Sequence, residues 1–434
     1  MKHIIIVGAG FAGLNLAKKL NNNSAYRVTL VDRFNFHQFQ PLFYQVATAG
    51  LDASNISFPL RKIFQNSTNV HVVLASLKEV LPEQKQIITD AGTFSYDYLV
   101  MATGCATNFF GNEQLETYAY PMKSTVEALN IRHSIVENLE LASRAASEEE
   151  RQTLLNIVIV GAGPTGVELS GTLAEMKKNI LPKDFPELDF KKMNIYLLEG
   201  GPVTLPSMSE KSRRKSREYL KKLGVRVYTQ TIVSNYDGEK VQLSDGRVIH
   251  TGFVIWAAGI SGNTPSGIPV EIRTKGNRIR VDRYNRVHSL TDIFAIGDVA
   301  YMQSPNYPDG QPQVCNVAIK HAEALAYNME QWRKGSGKER EFEYKDPGTM
   351  ATIGRNRAVV DNFPFNGNHF AGFAAWVSWM GFHLLQLIGV KNKLQVFINW
   401  VYQYFTYDQN LRLIFKNSYQ PKRKKKEVEV VHQS

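Results

Sequence analysis

The sequence contains one short motif twice: a predicted strand of bulky apolar residues, then a glycine-rich turn, then a helical stretch. The first copy reads HIIIVGAGFAG at residues 3–13, and the second reads IVIVGAGPTGVELSG at residues 157–171. The spaced glycines are Gly8, Gly10 and Gly13 in the first copy and Gly161, Gly163 and Gly166 in the second. They permit a tight turn, close approach of a pyrophosphate to the backbone, and close packing of helix on strand. Two such units predict two bound dinucleotides and electron transfer between them.

A carboxylate follows each unit at the end of the next predicted strand, where the ribose of a dinucleotide is usually bound. Asp32 ends the stretch YRVTLVDR, and Glu199 ends MNIYLLEG after a connection lengthened by KNILPKDFPELDF. A surface or capping role remains the alternative for Glu199. No basic residue follows it until Lys211. Because a carboxylate repels the 2′-phosphate of NADP, the sequence favours NADH over NADPH.

Composition bounds the class of protein. The chain has 434 residues, of which 43% are hydrophobic and 21% charged, which fits two or three folded domains and excludes an ordinary polytopic membrane protein. The start, MKHIIIVGAG, lacks a cleavage site and is predicted to be a strand, not a signal peptide. Two cysteines, Cys105 and Cys315, form no CxxC or CxxxxC pair, which excludes a disulfide reductase and indicates a reducing compartment. No metal-ligand spacing is present.

Three further stretches predict strands that end at small-residue turns: YLVMATG (98–104), FVIWAAG (253–259) and TDIFAIGDVA (291–300). Their candidate cofactor contacts are Thr103, Gly104, Gly259, Gly297 and Asp298. Taken in order with the glycine motifs, these stretches resemble the two-dinucleotide flavoprotein reductases of the pyridine nucleotide-disulfide oxidoreductase superfamily. The resemblance implies FAD on the first motif, with its adenosine ribose on Asp32 and its ribityl and pyrophosphate region on Asp298. It implies a nicotinamide nucleotide on the second motif.

The same resemblance implies an α/β fold with two Rossmann-like dinucleotide-binding domains. The FAD domain is discontinuous, spanning residues 1–115 and 275–360, and the NAD(H) domain, residues 116–274, is inserted into it. Residues 361–434 are predicted to form a C-terminal membrane-anchoring segment, made of amphipathic helices and a basic tail.

A narrower resemblance rests on QPLFYQVATAGL (40–51), GPTGVELSG and the distal stretch HLLQLIGVKNKLQVFINWVYQYFTYDQNLRLI (383–414). These segments resemble type II NADH dehydrogenases, the non-pumping NADH:quinone oxidoreductases. The family implies that a hydride passes from NADH to FAD and that two electrons pass on to a membrane quinone, either menaquinone or ubiquinone. It implies a catalytic role for Glu168, close to where nicotinamide and flavin meet, although the helix dipole alone also favours an acid there. It further implies a possible homodimer at the cytoplasmic face of the cell membrane.

Two alternative functions stay open at this point. A sulfide:quinone reductase uses cysteines near its flavin, and Cys105 and Cys315 both follow flavin-facing stretches, although GAGPTGVE lacks that family's cysteine. Another NADH-dependent reductase with a different acceptor is the second possibility. A non-enzymatic role, as an assembly or signalling partner, is also kept as a hypothesis. Nucleic-acid binding is not predicted, because the basic tail lacks interleaved aromatic residues.

The predicted quinone site departs from the family pattern. The family has Ala-Gln followed four residues later by a second Gln, and these amides line the quinone tunnel. Here the corresponding residues are Cys315, Asn316 and Lys320, and Gln45 of the QPLFYQVAT motif is a further candidate. In one alternative Lys320 faces the site as a catalytic cation that binds a quinone carbonyl oxygen, delivers a proton or stabilises a negatively charged reduced flavin. In the other, Lys320 turns outward on its helix and the quinone site has degenerated.

The C-terminal region predicts peripheral membrane binding. Residues 362–407 contain no acid, and residues 371–390 carry no charge and approach the ~20 residues that span a bilayer. Polar interruptions favour lying on an anionic membrane surface over crossing it. One predicted helical face carries Leu394, Phe397, Ile398, Val401 and Phe405. The residues expected at headgroup level are Trp376, Trp379, Trp400, Tyr402 and Tyr404. The basic run Lys422–Lys426 adds a second membrane signal.

Overall fold

The computed structural model describes residues 1–363, 367–409 and 411–414. The α-helices of these residues are α1 (Phe11–Leu20), α2 (Phe43–Ala47), α3 (Leu60–Ile63), α4 (Glu113–Tyr118), α5 (Thr125–Ser143), α6 (Glu148–Leu155), α7 (Pro164–Asn179), α8 (Leu181–Asp184), α9 (Glu210–Lys222), α10 (Cys315–Lys334), α11 (Phe373–Gln386) and α12 (Val390–Thr406).

The larger sheet takes its strands from two separate parts of the chain. In spatial order they are Ala300–Met302, Ile279–Val281, Arg286–Val287, Leu290–Ala295, Tyr98–Met101, Lys2–Val7, Tyr26–Asp32 and Val70–Leu74. The strands from Leu290–Ala295 onward run parallel. The strand before the first glycine motif is apolar throughout because both faces of the sheet are covered. Ile4 and Ile6 pack with α1 and α10, whereas Ile5 packs with Val80 and Ile87.

The second sheet lies between those two parts in sequence. Its order is Tyr120–Pro121, Val254–Trp256, Asn156–Val160, Asn194–Leu198 and Arg226–Tyr228, and all its pairs are parallel. The strand before the second glycine motif is buried on both faces. Ile157 and Ile159 join the core that contains α7, and Val158 packs with Tyr236. The predicted α/β class with two Rossmann-like units is therefore confirmed.

Small antiparallel sheets complete these layers. Their strands are Leu77–Leu81 with Gln86–Thr89 and Gly92–Ser95, Val233–Tyr236 with Lys240–Leu243 and Val248–His250, Phe36–Gln38 with Ser57–Pro59, and Cys105–Thr107 with Ile260–Gly262.

The C-terminal unit combines a three-stranded sheet with α11 and α12. Thr349–Thr352 pairs with Ala358–Asp361, which pairs with His369–Ala371. The predicted boundary between residues 360 and 361 falls inside this sheet. Within the described residues, no helix is both long and apolar enough to span a bilayer.

Helix α12 is amphipathic in the sense predicted. The predicted apolar face, from Leu394 to Phe405, is exposed to solvent, and Phe405 is 77% exposed. The opposite face packs on the core through Val396 and Trp400. The tryptophans partly contradict the predicted headgroup placement, because Trp379 is 1% exposed and Trp400 is 6% exposed. Both side chains point into the protein, so Tyr402, 46% exposed, is the better candidate for that level.

Candidate active site

The first glycine motif forms an open backbone cradle. Gly8 has φ +101°, and a Cβ there would lie 2.2 Å from the carbonyl oxygen of Ala102. A Cβ on Gly13 would lie 1.9 Å from the carbonyl oxygen of Gly8, so the helix can approach the strand only without one. At Gly10, by contrast, nothing lies within 4 Å of that position. The face of Gly10 is thus free to receive a diphosphate at the start of α1.

The second motif repeats this geometry. Gly161 has φ +102°, and its Cβ would lie 2.7 Å from the carbonyl oxygen of Ala257. A Cβ on Gly166 would lie 1.9 Å from the carbonyl oxygen of Gly161, whereas nothing lies within 4 Å at Gly163. The chain therefore contains two cradles of the same design, one on each parallel sheet.

Each predicted ribose carboxylate also holds its own glycine turn. Oδ2 of Asp32 accepts a hydrogen bond of 2.5 Å from the N–H of Ala9. Oε2 of Glu199 accepts one of 2.7 Å from the N–H of Ala162, and its Oε1 accepts one of 2.7 Å from Gly201. Both carboxylates remain partly exposed. They fix the turn and stay available at the strand end, where a ribose is expected.

A cavity of about 310 Å³ brings the two dinucleotide units together. Its lining includes Gly10, Ala102, Gly104, Gly297 and Asp298 from the first unit, Pro164, Thr165 and Glu168 from the second, and Trp379 and His383 from α11. These residues suit a flavin dinucleotide, because the glycine cradle opens directly onto the cavity. The first glycine cradle and the start of α7 thus line one cavity.

Of the five candidate contacts at the strand-end turns, Thr103 and Gly259 lie outside the residues that line this cavity. The Thr103 hydroxyl donates a hydrogen bond of 2.7 Å to the carbonyl oxygen of Asn263. Gly259 has φ +81°, and a Cβ there would lie 2.6 Å from the ring of Phe110. In this structure both positions shape the turns that follow their strands.

The two cysteines flank Asp298 as partly buried thiols. Sγ of Cys105 donates to Oδ2 of Asp298 at 3.2 Å, and Cys315 lines the same cavity. Burial, together with the Asp298 charge, raises the pKa of Cys105 to about 12 and that of Cys315 to about 11. Thiols with such pKa values stay protonated at neutral pH, which is unsuited to thiolate chemistry on sulfide or disulfides.

Glu168 lines the cavity and is 7% exposed. Burial raises its pKa to about 8, against the lowering effect of hydrogen bonds from the Thr352 backbone N–H and the Trp379 side chain. The Thr352 N–H lies 3.3 Å from Oε1. A carboxyl group buried in this way holds a proton near neutral pH, which a helix-capping acid on the surface does not do.

A second cavity, of about 140 Å³, lies on the other side of Trp379. Its lining combines aromatic, amide and cationic side chains, among them Tyr44, Gln45, Thr352, Arg355, Trp376, Trp379, Trp400, Gln403, Tyr404 and Tyr407. Trp379 lines both cavities, so one side chain forms part of the wall between them. The predicted quinone residue Gln45 belongs to this second cavity.

A series of hydrogen bonds connects the second cavity to Glu168. The indole N–H of Trp400 donates to Oε1 of Gln45 at 2.7 Å, and Nε2 of Gln45 donates to the Tyr44 hydroxyl at 2.9 Å. The Tyr44 hydroxyl lies 3.3 Å from Oγ1 of Thr352, whose backbone N–H reaches Glu168. Polar groups therefore run from the cavity to the buried carboxyl group.

The structure does not bring the other two predicted quinone residues to either cavity. Lys320 lies on the outer face of α10, with a 61% exposed side chain whose Nζ is 2.8 Å from Oε2 of Glu323. Asn316 is absent from both linings. The inner face of α10 carries Val317, Ala318 and His321 instead. The outward orientation of Lys320, one of the two alternatives, is the one observed, so the catalytic role predicted for it has no geometric support.

Comparison with known proteins agrees with this geometry. The pyridine nucleotide-disulphide oxidoreductase family model matches residues 2–322, and the NDH2 C-terminal domain model matches residues 347–407. The type II NADH:quinone oxidoreductase Ndh of Mycobacterium tuberculosis is 34% identical over 415 residues, covering 92% of this chain and 87% of the relative. The chain belongs to the type II NADH:quinone oxidoreductases. NdhA of the same organism is 32% identical, covering 92% of this chain and 86% of the relative.

Solved structures show the same fold for this type II oxidoreductase. NDH2 from Plasmodium falciparum, in complex with NADH, aligns with a TM-score of 0.86 and 21% identity, covering 96% of this chain and 100% of that one. The sulfide:quinone oxidoreductase of Aquifex aeolicus aligns with a TM-score of 0.72 and 18% identity, covering 94% and 96%. At these identities the likeness shows the fold alone.

Sequence reasoning missed residues that line the second cavity, among them Tyr44, Thr352 and Arg355. Tyr44 lies inside the QPLFYQVAT motif, so the motif itself was the available signal. Thr352 and Arg355 lie in TIGRNRA, a stretch without any periodic or metal-ligand pattern. They join the site only through the pairing of the C-terminal strands.

Proposed function

We propose that this chain is an FAD-dependent NADH:quinone oxidoreductase that reduces a membrane quinone without pumping protons. The overall reaction is NADH + H⁺ + quinone → NAD⁺ + quinol. The observation that carries the proposal is the position of Trp379, shared between a cavity that meets both dinucleotide units and an aromatic, amide-lined cavity beside the C-terminal helices. The first cavity suits the two nucleotides and the second suits a flat, apolar ring with carbonyl oxygens.

FAD is assigned to the first glycine cradle. Gly10, Gly104 and Gly297 would face it without side chains, Asp32 would bind its adenosine ribose, and Asp298 its ribityl and pyrophosphate region. When bound, FAD accepts a hydride from NADH and delivers two electrons to the quinone. The protein supplies orientation and exclusion of water, with Trp379 and His383 closing the cavity from α11.

NADH is assigned to the second cradle, formed by Gly161, Gly163 and Gly166. Glu199 would bind the adenosine ribose and repel a 2′-phosphate, which favours NADH over NADPH. Glu168 then lies on the helix that starts at this cradle. Its position on the lining of the first cavity supports its predicted place near the nicotinamide.

Glu168 is proposed as the proton-holding residue. Quinol formation consumes two protons, and Glu168 holds one near neutral pH because burial raises its pKa to about 8. The hydroxyls of Thr352 and Tyr44 lie 3.3 Å apart, between Glu168 and the second cavity. Tyr44 lines both the second cavity and a small cavity of about 70 Å³ that Glu168 also lines. This small cavity is the proposed route by which a proton passes from Glu168 toward a quinone oxygen.

Peripheral binding at the cytoplasmic face of an anionic membrane completes the proposal. The exposed apolar face of α12 supplies one membrane signal. The second predicted signal, Lys422–Lys426, lies outside the described residues. The predicted division into residues 1–115 with 275–360, 116–274 and 361–434 stays a proposal, with the C-terminal unit best started near residue 347. A homodimer is supported by the sequence resemblance alone.

Steady-state turnover tests the proposed function. The purified protein should carry FAD, oxidise NADH with a soluble menaquinone or ubiquinone analogue, and show no quinone reduction with sulfide as donor. Sulfide-dependent turnover would favour the sulfide:quinone reductase alternative. Turnover only with ferricyanide, and with neither quinone, would contradict a quinone acceptor.

A further inference from the structure

Arg355 occupies an unusual position at the tip of the turn between Thr349–Thr352 and Ala358–Asp361. Gly354 and Asn356, on either side, have φ values of +67° and +61°. These left-handed conformations let the short turn project Arg355 away from the sheet. The side chain lines the second cavity.

The guanidinium of Arg355 stacks against two tyrosine rings. Its Cζ lies 4.1 Å from the ring centroid of Tyr404 and 3.9 Å from that of Tyr407. Tyr404 lies in α12, and Tyr407 follows at the helix end with φ +57°. This left-handed residue turns the chain so that both rings reach the same cation.

Two nitrogen atoms of this guanidinium have no hydrogen-bond acceptor in the part of the chain that the structure describes. Nε and Nη1 of Arg355 are buried, and neither has a hydrogen-bond partner among the described residues. No salt bridge of Arg355 is found within that part of the chain, although Glu175, the partner of Arg357, lines the same cavity. Its neighbour Arg357 differs, because its Nη1 lies 3.2 Å from Oε1 of Glu175. Burying unpaired donors is costly, so the cavity presents a cation that needs an oxygen acceptor.

The wall of the cavity indicates an apolar molecule that carries the acceptor. Trp376, Trp379 and Trp400 contribute indole rings. Helix α12 places Tyr404 in the cavity and the adjacent Phe405, 77% exposed, on the outer apolar face. The cavity and the exposed apolar face therefore lie next to each other on α12. A lipophilic molecule that contacts the apolar face is close to the cavity.

We infer that Arg355 binds a carbonyl oxygen of the quinone and stabilises the negative charge that develops there during reduction. The inference rests on the proposed quinone reductase function. It assigns to Arg355 the role that the sequence suggested for Lys320. The guanidinium is a hydrogen-bond donor with no acceptor atom of its own, which suits a carbonyl oxygen. NADH supplies the two electrons and one proton as hydride, Glu168 supplies the second proton and regains one from solvent, and the quinone becomes the quinol.

Arg355→Gln and Arg355→Lys test the assignment in the full-length holoenzyme. Losing a charge-assisted hydrogen bond should lower kcat/KM for a soluble quinone by about tenfold to a hundredfold in Arg355→Gln. Arg355→Lys should recover part of this loss, because it keeps the charge but not the planar fork. Flavin reduction by NADH and turnover with ferricyanide should stay within about twofold of the parent. Quenching of tryptophan fluorescence by the same quinone should require a correspondingly higher concentration.

Arg357→Gln is the matched control, since it removes a guanidinium from the same turn that is already paired with a carboxylate. It should keep the parent's quinone kcat/KM. An equal loss in Arg357→Gln, or an equal loss with ferricyanide in Arg355→Gln, would make the effect structural and overturn the assignment. Parent-like quinone kinetics and quenching in Arg355→Gln would also overturn it. If the parent itself does not reduce quinone, the proposed function fails, which is a separate outcome.

Discussion

The backbone N–H of Thr352 donates a hydrogen bond of 3.3 Å to Oε1 of Glu168, joining the C-terminal sheet to the helix of the second glycine motif. The two residues are far apart in sequence, and the hydroxyl of Thr352 is also 3.3 Å from that of Tyr44. Thr352 therefore lies within hydrogen-bond distance of both the carboxyl group that lines the first cavity and the Tyr44 hydroxyl of the second. In the proposed function, this contact places the proton-holding carboxyl group beside the quinone cavity.

The first prediction concerns the pH dependence of Glu168. Because burial raises its pKa to about 8, the carboxyl group is protonated below that pH and loses its proton above it. Quinone turnover should therefore fall as pH rises through about 8. In Glu168→Gln turnover should be lower, by about tenfold or more, and this alkaline decline should disappear.

The same substitution changes how stability depends on pH. The unfolded carboxyl group ionises near its ordinary pKa of 4.5 and the folded one near 8, so the folded state binds more protons between these values. Stability from this group is complete below the lower pKa and is lost as pH rises through the upper one. Thermal unfolding of Glu168→Gln should lack that loss. Glu323→Gln, on the surface of α10, is the control, and an identical pH profile in parent and Glu168→Gln would contradict the raised pKa.

The second prediction is that NADH is preferred over NADPH. Glu199 places a carboxylate at the strand end and holds the turn through Ala162 and Gly201. Charge repulsion of a 2′-phosphate should lower kcat/KM for NADPH by at least about tenfold. Steady-state rates with each nucleotide, at fixed quinone, measure this ratio. A higher kcat/KM for NADPH would show that Glu199 does not select the ribose.

The third prediction is that Lys320→Gln changes little. Lys320 is exposed and pairs with Glu323 outside both cavities, and an exposed ion pair contributes little to stability. Quinone kcat/KM should stay within about twofold of the parent across the pH range. If quinone turnover falls while flavin reduction by NADH is unchanged, Lys320 takes part in quinone reduction and the prediction is wrong.

The fourth prediction concerns the outer face of α12. Leu394 and Phe405 are 54% and 77% exposed. Replacing both with serine should weaken binding to vesicles that contain anionic lipid by about a hundredfold, because each apolar side chain contributes about 1.5 kcal/mol or more when buried. Turnover with ferricyanide should be retained. Val248→Ser is the control, because Val248 is 48% exposed but lies in the strand Val248–His250, away from α12. If the double variant sediments with vesicles as the parent does, this face is not the membrane contact.

The sequence predicts the two Rossmann-like folds well and the lining of the second cavity poorly. Glycines such as Gly8 and Gly13 are required by contacts within one strand–turn–helix unit, so their motif carries the structural information locally. No local sequence motif of this kind marks the second cavity, because its lining comes from separate parts of the chain. Gln45 meets Trp400 across 355 positions of sequence, and only the packing of the C-terminal unit brings them together. Lys320 shows the converse, because a motif position alone does not fix the face of a helix that a side chain occupies.

Anaerobic stopped-flow mixing tests the central claim most directly. One equivalent of NADH should bleach the flavin absorbance of the holoenzyme, and a second mixing step with one equivalent of soluble quinone should restore it at a rate at least equal to steady-state turnover. NAD⁺ and quinol should form in equal amounts. A flavin that NADH bleaches but quinone reoxidises more slowly than turnover would contradict the account, because the quinone would then not be the acceptor of this site.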